Sequence, residues 1–192
     1  MSEIYLIRHG QTNSNKNAII QGRIDNPLNK EGINQAKQVG KYLKQKNINF
    51  DFCISSPLER AIVTTEIIKN ELNLKIPTLI EPEIIERDFG ELDGKQINDN
   101  YYNLVHNGIA KGIETDLLIE KRVKNFFQAF FKNNSFKRVL MVSHSHVIKA
   151  LLKQYKQDFH YDYYLNNCSI NIIKFDNEIK VVKDNINPLL KY

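Results

Sequence analysis

Ile4-Tyr5-Leu6-Ile7-Arg8-His9-Gly10-Gln11-Thr12 is the stretch on which the fold turns. Four apolar residues run into a basic dipeptide and then into polar, glycine-containing chain. A short apolar run bounded in this way has the pattern of a strand buried on both faces. The arrangement returns twice. Phe50 to Ile54 leads into Ser55-Ser56-Pro57 with Arg60 close behind, and Val139 to Val142 leads into Ser143-His144. Ile76 to Ile80 is a further strand candidate. Between these runs the apolar residues recur at helical spacing. Lys30 to Lys46 carries Ala36, Val39, Gly40 and Leu43 on one face. A helix opening at Ser56-Pro57, with Ser56 as its N-cap, carries Leu58, Ala61, Ile62, Thr65, Ile68 and Leu72. Thr115 to Lys132 carries Ile119, Val123, Phe126, Phe127 and Phe130, and Val147 to Leu152 opens another helix. Ser169 to Phe175 and Glu178 to Lys183 read as a closing hairpin around Asp176-Asn177. Strands alternating with helices predict an α/β fold, three layers deep, with helices on both faces of a mainly parallel mixed sheet. Ligands of such sheets bind at the carboxyl ends of strands, where the reactive residues of this chain stand.

The composition sets bounds on partners. The chain of 192 residues is 42% hydrophobic and 26% charged, the balance of a globular protein, which excludes disordered and fibrous classes. At roughly 100–200 residues per domain, residues 1–192 are expected to form one domain. No apolar run approaches the ~20 residues of a membrane span, and no basic segment followed by an apolar one opens the chain. Cys53 and Cys168 each sit in apolar sequence and make no disulfide framework, so a cytoplasmic location is expected. Lys and Arg number 27 against 22 Asp and Glu, a net charge of +5. That excess suits an anionic partner or an ordinary surface equally. The basic residues are scattered singly without a stacking motif, so no nucleic acid is expected.

His9 and His144, Arg8 and Arg60 stand after three strands far apart in sequence, and the fold brings such strand ends into one cleft. Arginine offers a planar fork of donors matched to phosphate oxygens and keeps its charge. A neutral imidazole beside two cations is a nucleophile, because its pKa of ~6.5 is pushed lower by them. Phosphoryl transfer asks mainly for positioning and charge stabilisation. No acidic metal cluster accompanies either histidine, so neither a metal nor a cofactor is expected. The polar loop from Gly10 to Asn29, with Gly22 and Pro27 as breakers, is long enough to be functional.

Leu6-Ile7-Arg8-His9-Gly10-Gln11-Thr12-Asn13-Ser14-Asn15 resembles the signature of the histidine phosphatase superfamily, the phosphoglycerate mutase-like proteins. The resemblance continues through Gln21-Gly22, Asp25-Asn26-Pro27-Leu28, Gly32 and Gln35-Ala36. Ser55-Ser56-Pro57-Leu58-Glu59-Arg60-Ala61 with Thr64 is similar to the second arginine motif. Glu86 with Phe89-Gly90-Glu91-Leu92-Asp93-Gly94 resembles the acidic loop, and Val142-Ser143-His144 with Val147-Ile148-Lys149-Ala150-Leu151 the second histidine motif. It implies a phosphoglycerate mutase-like fold. It also implies that His9 attacks phosphorus, that Arg8, Arg60 and His144 hold the phosphoryl oxygens, and that Glu86 serves as acid and then base. Asn15 and the chain near Gln21 and Gly22 are implied phosphate ligands, with Thr12 beside them, and Ser145 at the pocket wall is expected to add a contact to the substrate. His106 and His160 match nothing and are expected at the surface. Ser145 and His146 depart from the small residues, often glycines, that follow the second histidine in the family.

About fifty residues separate Gly94 from His144. Phosphoglycerate mutases of the family carry a longer insertion there with a paired-arginine segment. Here Lys95, Lys111, Lys121, Arg122 and Lys124 are the near candidates, and a short lid is expected around 95–114. The shorter lid argues for hydrolysis: a phosphomonoesterase resembling α-ribazole phosphatases and broad-specificity phosphatases, with a small phosphorylated substrate. The alternatives are mutase-type transfer and a non-catalytic phosphate-binding module. A metallohydrolase on His144 and His146 lacks the further ligands such a site needs. Nothing in the sequence decides between monomer and homodimer.

Overall fold

The computed structural model describes residues 1–134 and 136–189. Its sheet has six strands in the order β3-β2-β4-β1-β5-β6, formed by β1 (Ser2–Arg8), β2 (Phe52–Ser55), β3 (Thr78–Ile80), β4 (Arg138–Ser143), β5 (Ile170–Asp176) and β6 (Glu178–Ile186). β3, β2, β4 and β1 are parallel; β5 is antiparallel to β1 and to β6. Alternation along the central strands sends side chains to two cores. Ile4 and Leu6 of β1 and Val139 and Met141 of β4 face α5 (Asp116–Asn133) and α6 (Ser145–Tyr155). Tyr5, Ile7, Leu140 and Val142 face α2 (Lys30–Gln45) and α3 (Glu59–Leu72). The result is the expected three-layer α/β/α architecture with a mainly parallel mixed sheet. Each central strand buries both faces, which is why these runs are continuously apolar.

A third, smaller core of Ile20, Phe89, Leu92, Val105 and Ala110 seats residues 95–114 on the rest of the chain. That segment contains a short helix, α4 (Tyr101–His106). The Gly10–Asn29 loop holds one helical turn, α1 (Asn13–Lys16), closed by a reciprocal cap between Thr12 and Asn15. Cys53 and Cys168 are buried free thiols. No helix among the described residues is long and apolar enough to cross a membrane.

Several expected boundaries shift for physical reasons. Pro77 cannot donate to a ladder, and β3 starts after it at Thr78. Ser56 is not an N-cap: α3 begins at Glu59 with Leu58 at the cap position and no side-chain bond from it. The Asp25 carboxylate serves instead from the long loop, accepting from the Glu59 amide at 2.9 Å. Phe131 rather than Phe130 joins the closed core; Phe130 packs half-buried on Phe52 and Phe136. The closing turn places Asn177 at φ 62°, a left-handed conformation that asparagine tolerates.

Candidate active site

Strand register builds the site. In the parallel pair β1/β4, Arg8 stands opposite Ser143, so the next residues, His9 and His144, emerge side by side. Their ring centroids are 5.2 Å apart. The His9 amide donates to the Ser143 carbonyl at 3.0 Å, and the Ser56 amide to the Val142 carbonyl at 3.0 Å. Three carboxyl ends of strands therefore meet at one point, as the sequence predicts.

His9 is 2% exposed. Its Nδ1 lies 2.7 Å from the Gly10 carbonyl, and a carbonyl only accepts, so Nδ1 carries the proton and Nε2 keeps its lone pair. Burial holds the imidazole well below its usual pKa, with Arg60 and then Arg8 adding to the effect. The loop beneath it is seated backbone on backbone: a Cβ at Gly10 would meet the Gly32 carbonyl at 2.5 Å, and one at Gly32 the Gln11 carbonyl at 2.1 Å. Asn167 Nδ2 donates to the His9 carbonyl at 3.1 Å from the other side.

His144 is fully buried, and its Nε2 is 2.6 Å from Ser56 Oγ. The Leu58 amide donates to that hydroxyl. The other ring nitrogen, Nδ1, has no partner in the protein. Burial, followed by Arg60, His9 and Arg8, pushes the His144 pKa well down.

Arg60 is fully buried, with Nη1 donating to the Ile24 carbonyl at 2.8 Å and Nη2 to the Gly22 carbonyl at 2.7 Å. Burial lowers its pKa to about 10, far above neutrality. Arg8 Nη1 donates to the Leu165 carbonyl. Arg8 Nε, Arg60 Nε, His144 Nδ1 and Gln21 Nε2 are buried and have no hydrogen-bond partner in the protein. Such atoms are costly unless a ligand satisfies them; these four belong to the expected site, while His106 Nε2 and Ser169 Oγ are likewise unpartnered outside it.

Glu86 separates from its acidic neighbours by burial. It is 4% exposed, whereas Glu83 and Glu91 are exposed and Glu81 and Asp88 half-buried. Its Oε1 accepts from the Arg87 amide at 2.9 Å and the His146 amide at 3.2 Å. Burial raises its pKa against the lowering effect of those amides, Arg60 and Arg8.

The remaining expected residues divide. Asn15 Oδ1 accepts from the Thr12 amide and from Asn167 Nδ2, both at 3.2 Å, leaving its own amide donors uncommitted. Gln21 Oε1 accepts from Thr12 Oγ1 at 2.7 Å. Thr12 and Gly22 are tied to other residues of the site. The Thr12 hydroxyl is given to Gln21 and to the cap of α1. The Gly22 amide donates to Asp93 Oδ1 at 2.7 Å, and its carbonyl holds Arg60. Ser145 is half-buried in the first turn of α6. Arg122 pairs with Glu114 and donates to the Glu83 and Ile85 carbonyls; Lys95, Lys111, Lys121 and Lys124 are exposed.

Two residues went unread. Arg87, fully buried, donates to Asp116 Oδ1 at 2.6 Å and to the Val105 carbonyl at 3.0 Å. His106 is half-buried rather than at the surface: its Nδ1 sits 2.9 Å from Asp116 Oδ2, at the end of α4. His160 is exposed, as expected. Among the described residues, no group of three His, Cys, Asp or Glu side chains is placed to hold a metal ion.

The chain is similar to known proteins over nearly all of its length. The histidine phosphatase superfamily (branch 1) matches residues 4–187, and the chain belongs to that family. The phosphatase PhoE of Bacillus subtilis (strain 168) is 33% identical over 197 residues, covering 99% of this chain and 97% of its own. The broad-specificity phosphatase YOR283W of Saccharomyces cerevisiae is 30% identical over 186 residues, 93% of this chain and 78% of its own. A phosphoserine phosphatase mutant of Entamoeba histolytica, solved with phosphoserine, superimposes with a TM-score of 0.83 at 26% identity, covering 99% of this chain and all of that one. Relatives also include 2,3-bisphosphoglycerate-dependent phosphoglycerate mutases. The protein is thus an enzyme of this superfamily, a phosphatase or mutase.

Proposed function

We propose that the protein is a metal-independent phosphomonoesterase that hydrolyses a small phosphorylated metabolite through a phosphohistidine. The observation that carries this reading is His9: a buried, neutral imidazole, its Nδ1 proton fixed on Gly10, its ring beside His144 and two arginines. In the first step the His9 Nε2 lone pair forms a bond to phosphorus and the phosphorus–ester oxygen bond breaks. Glu86, whose pKa burial raises, gives its proton to the departing alkoxide. Arg8, Arg60, His144 Nδ1, Asn15, Gln21 Nε2 and Ser145 receive the equatorial oxygens. In the second step the Glu86 carboxylate takes a proton from water, the water oxygen bonds to phosphorus, and the phosphorus–nitrogen bond breaks. Phosphate leaves and both residues return to their starting states.

Rapid quench with a labelled phosphomonoester tests the scheme. A protein adduct stable to alkali and labile to acid is expected, absent from His9→Ala, together with a fall in rate of at least ~10³-fold in that variant. Activity is expected to survive EDTA. Near-equal activity of His9→Ala, loss with EDTA, or phosphate binding without turnover across a phosphomonoester panel would each overturn the reading. The short lid favours water as acceptor; interconversion of phosphoglycerates faster than phosphate release would make the protein a mutase. Phosphoserine and 3-phosphoglycerate, bound in the Entamoeba histolytica structures, belong in the panel.

A further inference from the structure

His146 is the buried histidine that the phosphoryl chemistry leaves unused. It is 6% exposed and joins two things. Its backbone amide donates to Glu86 Oε1 at 3.2 Å, and its ring Nε2 lies 3.4 Å from the Tyr101 hydroxyl of α4. The ring also meets Phe89 edge-on at 5.0 Å and stacks with His106 at 6.2 Å and Tyr161 at 6.1 Å. The other end of α4 is held from the Glu86 side as well, because Arg87 donates to the Val105 carbonyl and shares Asp116 with His106. α4 is therefore tied through His146 to the acid's carboxylate and through Arg87 to the residue after it. Burial raises the Tyr101 pKa, and Tyr101 stands close enough to Glu86 for the carboxylate to push it further up.

We propose that His146 is a positioning and specificity-determining residue, whose ring fixes Tyr101 over Glu86 and so limits the size of the alcohol that leaves with the ester oxygen. The inference rests on the phosphomonoesterase reading above. The acid must reach the ester oxygen, so whatever bounds Glu86 on the lid side also bounds the leaving group. That boundary is aromatic and uncharged: burial, then Lys149, Arg87 and His106, hold the His146 ring well below its usual pKa and hence neutral. A wall of this kind discriminates by shape. One misfitting methylene in a packed pocket is worth about 10–200-fold, and deleting an imidazole removes more than that volume.

The test compares His146→Ala, His146→Gln and wild type on phosphoserine and on the bulkier benzyl phosphate, both of which need a proton on the leaving alkoxide. His146→Ala is expected to move the kcat/KM ratio toward the benzyl ester by at least about tenfold, mainly through KM. His146→Gln, which keeps a hydrogen-bonding group for Tyr101, restores most of the wild-type ratio. Tyr101→Ala is expected to move the ratio in the same direction. An unchanged ratio in folded, active His146→Ala overturns the proposal. So does an equal loss on both esters that His146→Gln does not rescue, which marks a purely structural role. If His146→Ala does not fold, the Tyr101→Ala ratio decides alone. Inactivity of His9→Ala on both esters, measured alongside, separates failure of this proposal from failure of the underlying mechanism.

Discussion

Replacing Arg60 by lysine keeps a cation and removes a shape. The guanidinium spends one N–H on the Ile24 carbonyl at 2.8 Å and another on the Gly22 carbonyl at 2.7 Å, and its Nε–H has no protein partner. A single ammonium on a flexible stem cannot serve two carbonyls and an anion together. One carbonyl left unsatisfied costs roughly 1–3 kcal/mol of folding stability. Losing a two-pronged, charge-assisted grip on the transferring group costs about 3–5 kcal/mol at the transition state, which is a fall of ~10²–10⁴ in kcat/KM. Protonation adds a second signature. Lys149, 8% exposed, already has its pKa lowered to about 8 by burial and by Arg8. A lysine at the fully buried position 60 is expected to fall at least as far and to lose its proton near neutrality. The activity of Arg60→Lys should therefore recover in part as pH is lowered from 8 to 6. Phosphate release gives kcat/KM at each pH, and thermal unfolding separates the stability loss. A variant within about threefold of wild type would refute the assigned geometry, and activity that climbs with pH would refute the protonation argument.

Gly32→Ala should harm catalysis from outside the pocket. Its Cβ would lie 2.1 Å from the Gln11 carbonyl oxygen, backbone that cannot swing aside, and a shift of ~1 Å in the His9 loop costs about 10²-fold; wild-type kcat in the purified variant would contradict this. With Glu86 as a buried acid of raised pKa, kcat should fall as pH rises through that pKa. Glu86→Gln should flatten that limb and lower kcat by ~10²–10⁴, and an unaltered pH–rate profile would exclude Glu86. Stability should drop in acid. His9, His144 and His146 have lowered pKa values in the fold, so the unfolded chain takes up protons from ~6.5 downward while the folded chain does not. That part of the stability is complete above ~6.5 and is lost as pH falls through the folded values. Glu86 has the opposite sign and offsets part of the loss; urea midpoints independent of pH between 7 and 5 would refute it.

The sheet and its reactive ends were legible because both rest on local pattern. Ile4 to Ile7 and Val139 to Val142 are continuously apolar for the same reason that they are central strands, and Arg8-His9 and Ser143-His144 follow from where those strands stop. Ser56 was misread because a serine before proline has the look of a helix cap. Its hydroxyl is instead drawn to His144, a partner 88 residues away, and the cap comes from Asp25, also distant. No spacing rule reaches that far. The lid was opaque for a similar reason. α4 is six residues long, too short for a periodic signal, and its position is set by Arg87, Asp116, His106 and His146 acting across the lid. Glu86 could be told from its acidic neighbours only by spacing in the sequence, whereas burial separates it at once.

The exchange between Asp25 and Arg60 has a practical consequence. The carboxylate from the long loop starts the helix that carries the arginine, and the arginine in return grips the loop at Gly22 and Ile24. By composition this polar, glycine- and proline-broken segment looks like a convenient place to insert a tag or to nick with a protease. Cutting it would deprive the helix of its start and the cation of its anchorage in one stroke, so resistance to limited proteolysis between positions 22 and 26 reports on the integrity of the anion cradle itself.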